Sequence, residues 1–426
     1  EPMEWVTVAE TDSKTLHKLL PDLTRPAAVE ALQHAGTILD MINEYHPSCQ
    51  LDDVATLIAR NGGAFVDGGP GTGKTRVLLP KILEAFRAIN PEVTFIKAAP
   101  TFVAAKQMGG ITCQAAVHRN VHNRFENKIM IVDEVSMVSI NLLERMARWS
   151  LMGLRFVFFG DFSQLLPVGV DPTTRWRTEN SRTFMRLCNN LRVLLTENRR
   201  ASADWPHFQR VMSLRPVVDE CPDAWLPQFI ERYPYKGEPI SYHICISHRN
   251  RMRINRWQNR LEKDRHPRKL YIPSYGFLKG CSSQPQDMWV WKGLELIGGG
   301  RTSRKVLNGV MYIVHSFTDE HLTVQVHPDF GEEELIELPL REASDNLRLC
   351  YAAVYQSCQG RTLRNQHVML MDTQHIHFSL RHLYVGASRV TSGEYLHIAN
   401  RSVARYIEEQ TEAVPHEEVV EADRPQ

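Results

Sequence analysis

Three common signatures are missing from this 426-residue chain, and each absence narrows its class. Its eight cysteines form no CxxC pair and have no histidines at zinc spacing, which indicates neither a zinc site nor a disulfide framework. Reduced thiols of an intracellular protein fit that pattern better. No apolar run approaches the ~20 residues needed to cross a bilayer and no signal peptide opens the chain, so a soluble protein without a membrane partner is expected. Charge imbalance is missing too: 50 Lys and Arg stand against 49 Asp and Glu, a formal +1, so only local patches can speak for or against nucleic acid. No internal repeat is visible.

Several short apolar runs end abruptly in small or acidic residues: 63–68 (GAFVDG), 93–101 (VTFIKAAPT), 128–134 (KIMIVDE), 155–161 (RFVFFGD), 242–247 (YHICIS) and 367–372 (HVMLMD). Continuous runs rich in Val, Ile and Phe suit strands covered on both faces of a parallel sheet. Helical spacing of apolar residues fills 76–89 and 140–152 between them. Alternating strand and helix means α/β architecture, with ligands gathered at the carboxyl ends of the strands. The stretch 270–350 alternates apolar and polar residues in short runs between turns, the pattern of a small antiparallel sheet or barrel. Residues 27–45 allow an amphipathic helix without recognisable chemistry. The acidic end of the chain, poor in large apolar residues, reads as disordered.

The sharpest motif is GGPGTGKT, comprising Gly68, Gly69, Pro70, Gly71, Thr72, Gly73, Lys74 and Thr75. It follows a strand pattern and precedes a helical one, the context of a phosphate-binding loop. Glycines let backbone amides approach phosphate oxygens, and a helix N-terminus adds its dipole. Lys74 is suited to the β- and γ-phosphates and the Thr75 hydroxyl to Mg²⁺. The next strand but one delivers Asp133-Glu134: an Asp that can hold the hydration shell of Mg²⁺ and a Glu that can take a proton from attacking water. A further strand ends in GDFSQLLPV, which sets Gln164 beside the terminal phosphate as a sensor. Hydrolysis of the bound triphosphate is therefore expected as well as binding.

With DEVSM (133–137), GDFSQLLPV (160–168), LTENRR (195–200), CQG (358–360) and YVGASRV (384–390) in that order, the chain resembles superfamily 1 helicases of the PIF-type and RecD-like branch. The match spreads over about three quarters of the sequence. That resemblance implies two RecA-like parallel-sheet lobes sharing ATP, the second supplying Arg200 and Arg389 as arginine fingers for the transferring phosphoryl. It also implies that Gln359 and Gly360 are linked to the nucleotide. The implied boundaries are an N-terminal segment 1–50, a first lobe 51–196, a second lobe 197–269 plus 349–407, an inserted SH3-like all-β domain 270–348 and an acidic tail 408–426.

Strand-binding residues follow by the same resemblance. In APTFVAAKQM (99–108) Thr101 is suited to a phosphate and Phe102 to a base. AAVHR sets His118 near the strand. In 247–269, where nine Lys or Arg surround Trp257, Ser247 and His248 open a turn that meets DNA, while the later charge is equally what a solvated helix face carries. Three departures stand out. VYQSCQG (354–360) puts Val354 and Ser357 where the family has a hydroxyl residue and Lys. No adenine-reading glutamine element is visible in 40–60. Leu166-Pro167 replaces Pro-Pro.

The expected activity is Mg²⁺- and ATP-dependent translocation 5′→3′ on single-stranded DNA by a monomeric motor, serving DNA replication or repair in the nucleus or at a viral replication site, with other replication or recombination proteins as partners. Direction and the choice of DNA rest on the resemblance. A viral RNA helicase and a degenerate, nucleotide-gated nucleic-acid-binding scaffold are the alternatives. A start at Glu1 suggests a piece of a longer protein.

Overall fold

The computed structural model describes residues 47–119, 125–166, 178–179, 181–199, 204–279, 283–300, 303, 305–331 and 333–412. The chain divides into two compact units, residues 1–218 and 219–426.

In the first unit, six strands among the described residues make one sheet: β1 (Ala64–Gly68), β2 (Thr94–Ala99), β3 (Ile111–Thr112), β4 (Lys128–Val132), β5 (Arg155–Gly160) and β6 (Arg192–Leu195), in spatial order β3-β2-β4-β5-β1-β6. Every pairing is parallel. Side-chain alternation divides the buried residues between two cores. Val66, Ile129, Ile131, Val157 and Phe159 pack with helices Pro47–Asn61 and Leu79–Ile89. Phe65, Met130, Val132, Phe156 and Phe158 pack with helices Cys113–Arg119, Ile140–Leu151 and Arg182–Leu187 on the other face. A sheet apolar on both faces must be covered on both, which is why its strands read as continuous hydrophobic runs.

The second unit holds β7 (Tyr242–Cys245), β15 (Ala352–Val354), β16 (Val368–Leu370) and β17 (Leu396–Ile398) as a parallel sheet, order β15-β7-β16-β17. Between β7 and β15 the chain makes the antiparallel pair β8 (Leu270–Ile272) and β9 (Met288–Val290). An antiparallel sheet of β10 (Glu295–Gly298), β11 (Met311–Phe317), β12 (His321–Val326), β13 (Leu335–Pro339) and β14 (Leu347–Leu349) follows, in order β13-β12-β11-β10-β14. β12 and β13 alternate strictly between buried and more accessible positions, as a half-covered sheet requires. Two parallel α/β sheets with an antiparallel insert are what the apolar runs imply.

The boundaries differ from the sequence expectation in two places. Residues 197–199 and 204–218, expected in the second lobe, fall in the first unit, where helix Trp205–Ser213 leads into Arg215 and its ion pairs to Asp67 and Asp161. The acidic end, expected to be disordered from 408, is helical through Glu412: helix Arg401–Glu412 sets Ile407 into the core of the second unit, and Arg253 reaches Glu408 at 3.3 Å. The helix expected over 27–45 lies outside the described residues.

Candidate nucleotide site

The phosphate loop leaves the end of β1 and runs straight into a helical turn at Lys74–Leu78 that continues as Leu79–Ile89. Gly71 and Gly73 have φ of +85° and +83°, a conformation that costs a side-chain-bearing residue energy and costs glycine none. Close approach dictates Gly68: a Cβ there would lie 2.7 Å from the Thr72 hydroxyl and 3.1 Å from Leu195 Cβ. The Thr72 hydroxyl donates to the Gly69 carbonyl at 2.9 Å, and the Lys74 ammonium donates to the carbonyls of Gly68 and Gly69. These contacts hold the loop closed over its own lysine.

Across from it, β4 ends at Val132 and delivers Asp133. The Thr75 hydroxyl donates to Asp133 Oδ2 at 2.8 Å, joining the loop to the strand end. Burial pushes the Asp133 carboxyl above the ordinary carboxylate range; the Thr75 bond, the Lys74 charge and the Glu134 amide oppose that rise. Glu134 sits in the left-handed region at φ +51°, ψ +45°, unusual for a non-glycine residue, and donates its amide to Asp133 Oδ1 at 2.9 Å. That kink turns the chain out of the strand and into the tight turn Val135–Met137. Strained backbone of this kind concentrates at functional sites. Gln164 is buried in the turn after β5, its amide bonded to the Asp161 carbonyl at 3.2 Å.

One arginine that the motif reading passed over also reaches the loop. The Arg199 amide donates to the Gly71 carbonyl at 2.7 Å, and its side chain lies against Gly73. Its neighbour Arg200, the residue the motif singles out, lies outside the described residues. Arg199 is the fifth residue of LTENRR (195–200), so the motif itself was the available signal.

Expected residues of the second unit are placed differently. Arg389 is 1% exposed, and its guanidinium donates to the carbonyls of Val385 (2.9 Å), Cys358 and Arg361 (3.2 Å each) and to the Ser388 hydroxyl (2.7 Å). An arginine finger needs a guanidinium that can present itself to phosphate; this one staples the helix Leu380–Ala387 to the loop carrying Gln359 and Gly360. Gln359 is buried and Gly360 adopts φ +76°.

Of the candidate strand-binding residues, Phe102 (48% exposed) and His118 are accessible. Thr101 caps helix Phe102–Gln107, its hydroxyl accepting from the Ala104 amide at 3.2 Å. Ser247 caps helix His248–Lys263 through the Asn250 amide, and His248 stands exposed at its first position, where partial desolvation and then the Arg251 charge lower its pKa. Asp372 braces that turn by accepting from the Ile246 amide and the Asn250 side chain, both at 2.7 Å. Trp257 is half-buried: its indole packs on the core of the second unit and meets His243 edge-on at 6.5 Å.

A parallel α/β sheet, a closed phosphate loop and a Thr–Asp bridge beside a kinked Glu define a phosphate-loop nucleotide-hydrolase site. Residues 52–170 match the family model described as an AAA domain. ATP-dependent DNA helicase PIF1 of Saccharomyces cerevisiae (strain YJM789) is 30% identical over 157 residues, covering 30% of this chain and 18% of that protein. The RecBCD enzyme subunit RecD of Mycobacterium tuberculosis is 28% identical over 148 residues, covering 27% and 26%. The chain thus spans between 18% and 26% of the length of the curated relatives it matches. Among solved structures, the Pif1 helicase of Candida albicans superimposes with a TM-score of 0.60 at 19% identity, covering 86% of this chain and 98% of that one. Bacteroides Pif1 bound to ssDNA gives 0.55 at 20% identity, covering 83% and 92%. The chain is similar in sequence to PIF1 and RecD helicases over 25% to 30% of its length and shares the Pif1 fold over most of it.

Proposed function

We propose that the chain is an ATP- and Mg²⁺-dependent DNA helicase that moves 5′→3′ on single-stranded DNA, working as a monomeric motor in replication or repair. The observation that carries the reading is the Thr75–Asp133 hydrogen bond, which sets the phosphate loop against the acidic end of β4 beside Glu134. The fit to Mg²⁺ rests on that donor set: a hydroxyl and a buried carboxylate, hard oxygen ligands whose local charge a divalent cation would balance. Bound Mg²⁺ would withdraw charge from the phosphate oxygens. Lys74 and the loop amides would orient the triphosphate, Glu134 would take the proton of the attacking water, and Gln164 would sense the terminal phosphate.

Arg200 keeps the proposed finger role, with Arg199 seated against the loop beside it. Gln359 and Gly360 are proposed to relay the nucleotide state; Phe102, His118, Ser247 and His248 are proposed to touch the strand. The insert is read as the SH3-like clamp of the family. In support of DNA as substrate, a Bacteroides Pif1 of this fold has been crystallised with ADP-AlF3 and ssDNA.

The expected result is unwinding of duplexes carrying a 5′ overhang, ATPase stimulation by single-stranded DNA above that by RNA, and neither activity in Lys74→Ala. Unwinding from 3′ overhangs alone would defeat the polarity, and stronger stimulation by RNA would favour the RNA-helicase reading. Strand binding gated by nucleotide with no turnover would identify a scaffold.

A further inference from the structure

Arg215 follows helix Trp205–Ser213, in the tight turn Arg215–Val217, outside every motif of the nucleotide site. Its guanidinium is bonded to Asp67 through Nη2 and lies 3.4 Å from Asp161 Oδ1 through Nε. Both carboxylates are buried, Asp67 at 4% and Asp161 at 0% exposure. They occupy the ends of neighbouring parallel strands: Asp67 on β1 pairs in register with Gly160, the residue before Asp161.

Each carboxylate roots a part of the nucleotide site. Asp67 precedes Gly68, where the phosphate loop begins. Asp161 Oδ1 accepts from the Ser163 amide at 3.0 Å, and its carbonyl accepts from the Gln164 amide at 3.2 Å. The main chain of Arg215 adds a third tie, its carbonyl accepting from the Ser163 hydroxyl at 3.2 Å. One residue therefore grips both the root of the loop and the turn that presents Gln164.

Two buried carboxylates on adjacent strands repel one another and are stable only with a cation between them. Burial raises the Asp67 pKa; Arg215 lowers it and Asp161 raises it again. A planar guanidinium with donors on two edges can span both carboxylates, whereas an ammonium offers a single point of charge. Without the span the two strand ends part or take up a proton. Either change shifts Gly68 relative to Gln164.

We propose that Arg215 is a positioning residue for nucleotide hydrolysis, which fixes the spacing between the phosphate loop and the Gln164 turn by bridging Asp67 and Asp161. The inference rests on the hydrolysis reading above. Its test measures ATP turnover per folded molecule, well below each variant's thermal midpoint, in Arg215→Lys, Arg215→Met and Arg215→Met combined with Asp67→Asn. Misplacement of reacting groups by about 1 Å can cost on the order of 10²-fold in rate, and that loss is expected of Arg215→Met. Arg215→Lys, which keeps charge and loses the span, should fall about tenfold. Asp67→Asn in the Met background should restore most of the loss, because one carboxylate no longer repels the other. Recovery by deleting a second charge is something a merely structural arginine would not give. Wild-type kcat and KM per folded molecule in Arg215→Lys, or in Arg215→Met if it folds, would overturn the inference, as would a double variant no better than the single. Wild-type protein that hydrolyses no nucleoside triphosphate would take the hydrolysis reading down and this one with it.

Discussion

Glu134→Gln is expected to lower steady-state ATP turnover by about 10²–10⁴-fold, the usual contribution of a positioned general base, while leaving nucleotide affinity within a few-fold of wild type. The glutamine keeps the size of the side chain and its capacity to hydrogen-bond, so the kinked backbone at φ +51° and the amide bond to Asp133 have no reason to move. What disappears is basicity. Thr75, Asp133 and Lys74, which would hold the metal and phosphates, are untouched by the exchange. A fluorescent nucleotide titrated into both proteins separates binding from chemistry, and stopped assays give the turnover. If the Gln variant turns over at the wild-type rate, the water's proton goes elsewhere and Glu134 is only a turn-former. If affinity collapses together with turnover, the residue acts through Asp133.

The phosphate loop and the acidic end of β4 were legible in the sequence for a physical reason. Phosphate loops need glycines at close-approach positions, a strand before and a helix after, and an acidic strand end opposite; all of these are local and leave their mark in consecutive residues. The strands of the parallel sheets were legible because burial on both faces removes polar residues from the run, as at Ile129–Val132 and Phe156–Phe159. What stayed hidden is long-range or rotational. Nothing near Arg215 announces that it lies between Asp67 and Asp161, since ion pairs across some 50 to 150 positions have no local pattern. A tryptophan among arginines reads as a stacking platform, yet the helix His248–Lys263 turns Trp257 toward the core, near Ile254, and leaves Arg249 exposed. Membership of Arg389 in a motif says which residue matters and is silent on whether its guanidinium faces phosphate or carbonyl oxygen.

Arg389→Ala should therefore be felt first as a loss of stability. The side chain is among the largest fully buried ones in the second unit, and its three nitrogens donate to three carbonyls and a hydroxyl. Truncation leaves carbonyls of Cys358 and Arg361 in a dry interior without that donor and opens a cavity where the stem ran. The lost hydrogen bonds and lost packing together amount to about 3 kcal/mol or more. Arg389→Lys, with one donor centre in place of a fork, should recover part of that. Denaturant unfolding of the three proteins, read beside ATPase per folded molecule, distinguishes a staple from a finger. A finger is worth about 10³–10⁵ in turnover and contributes little to folding. An unchanged unfolding midpoint with a thousandfold fall in turnover would mean that the guanidinium leaves its burial during the cycle and reaches the phosphate, as the helicase resemblance implies. A lowered midpoint with turnover kept in the molecules that remain folded would fix its work at the loop of Gln359 and Gly360, and leave Arg199 and Arg200 as the arginines to test at the nucleotide.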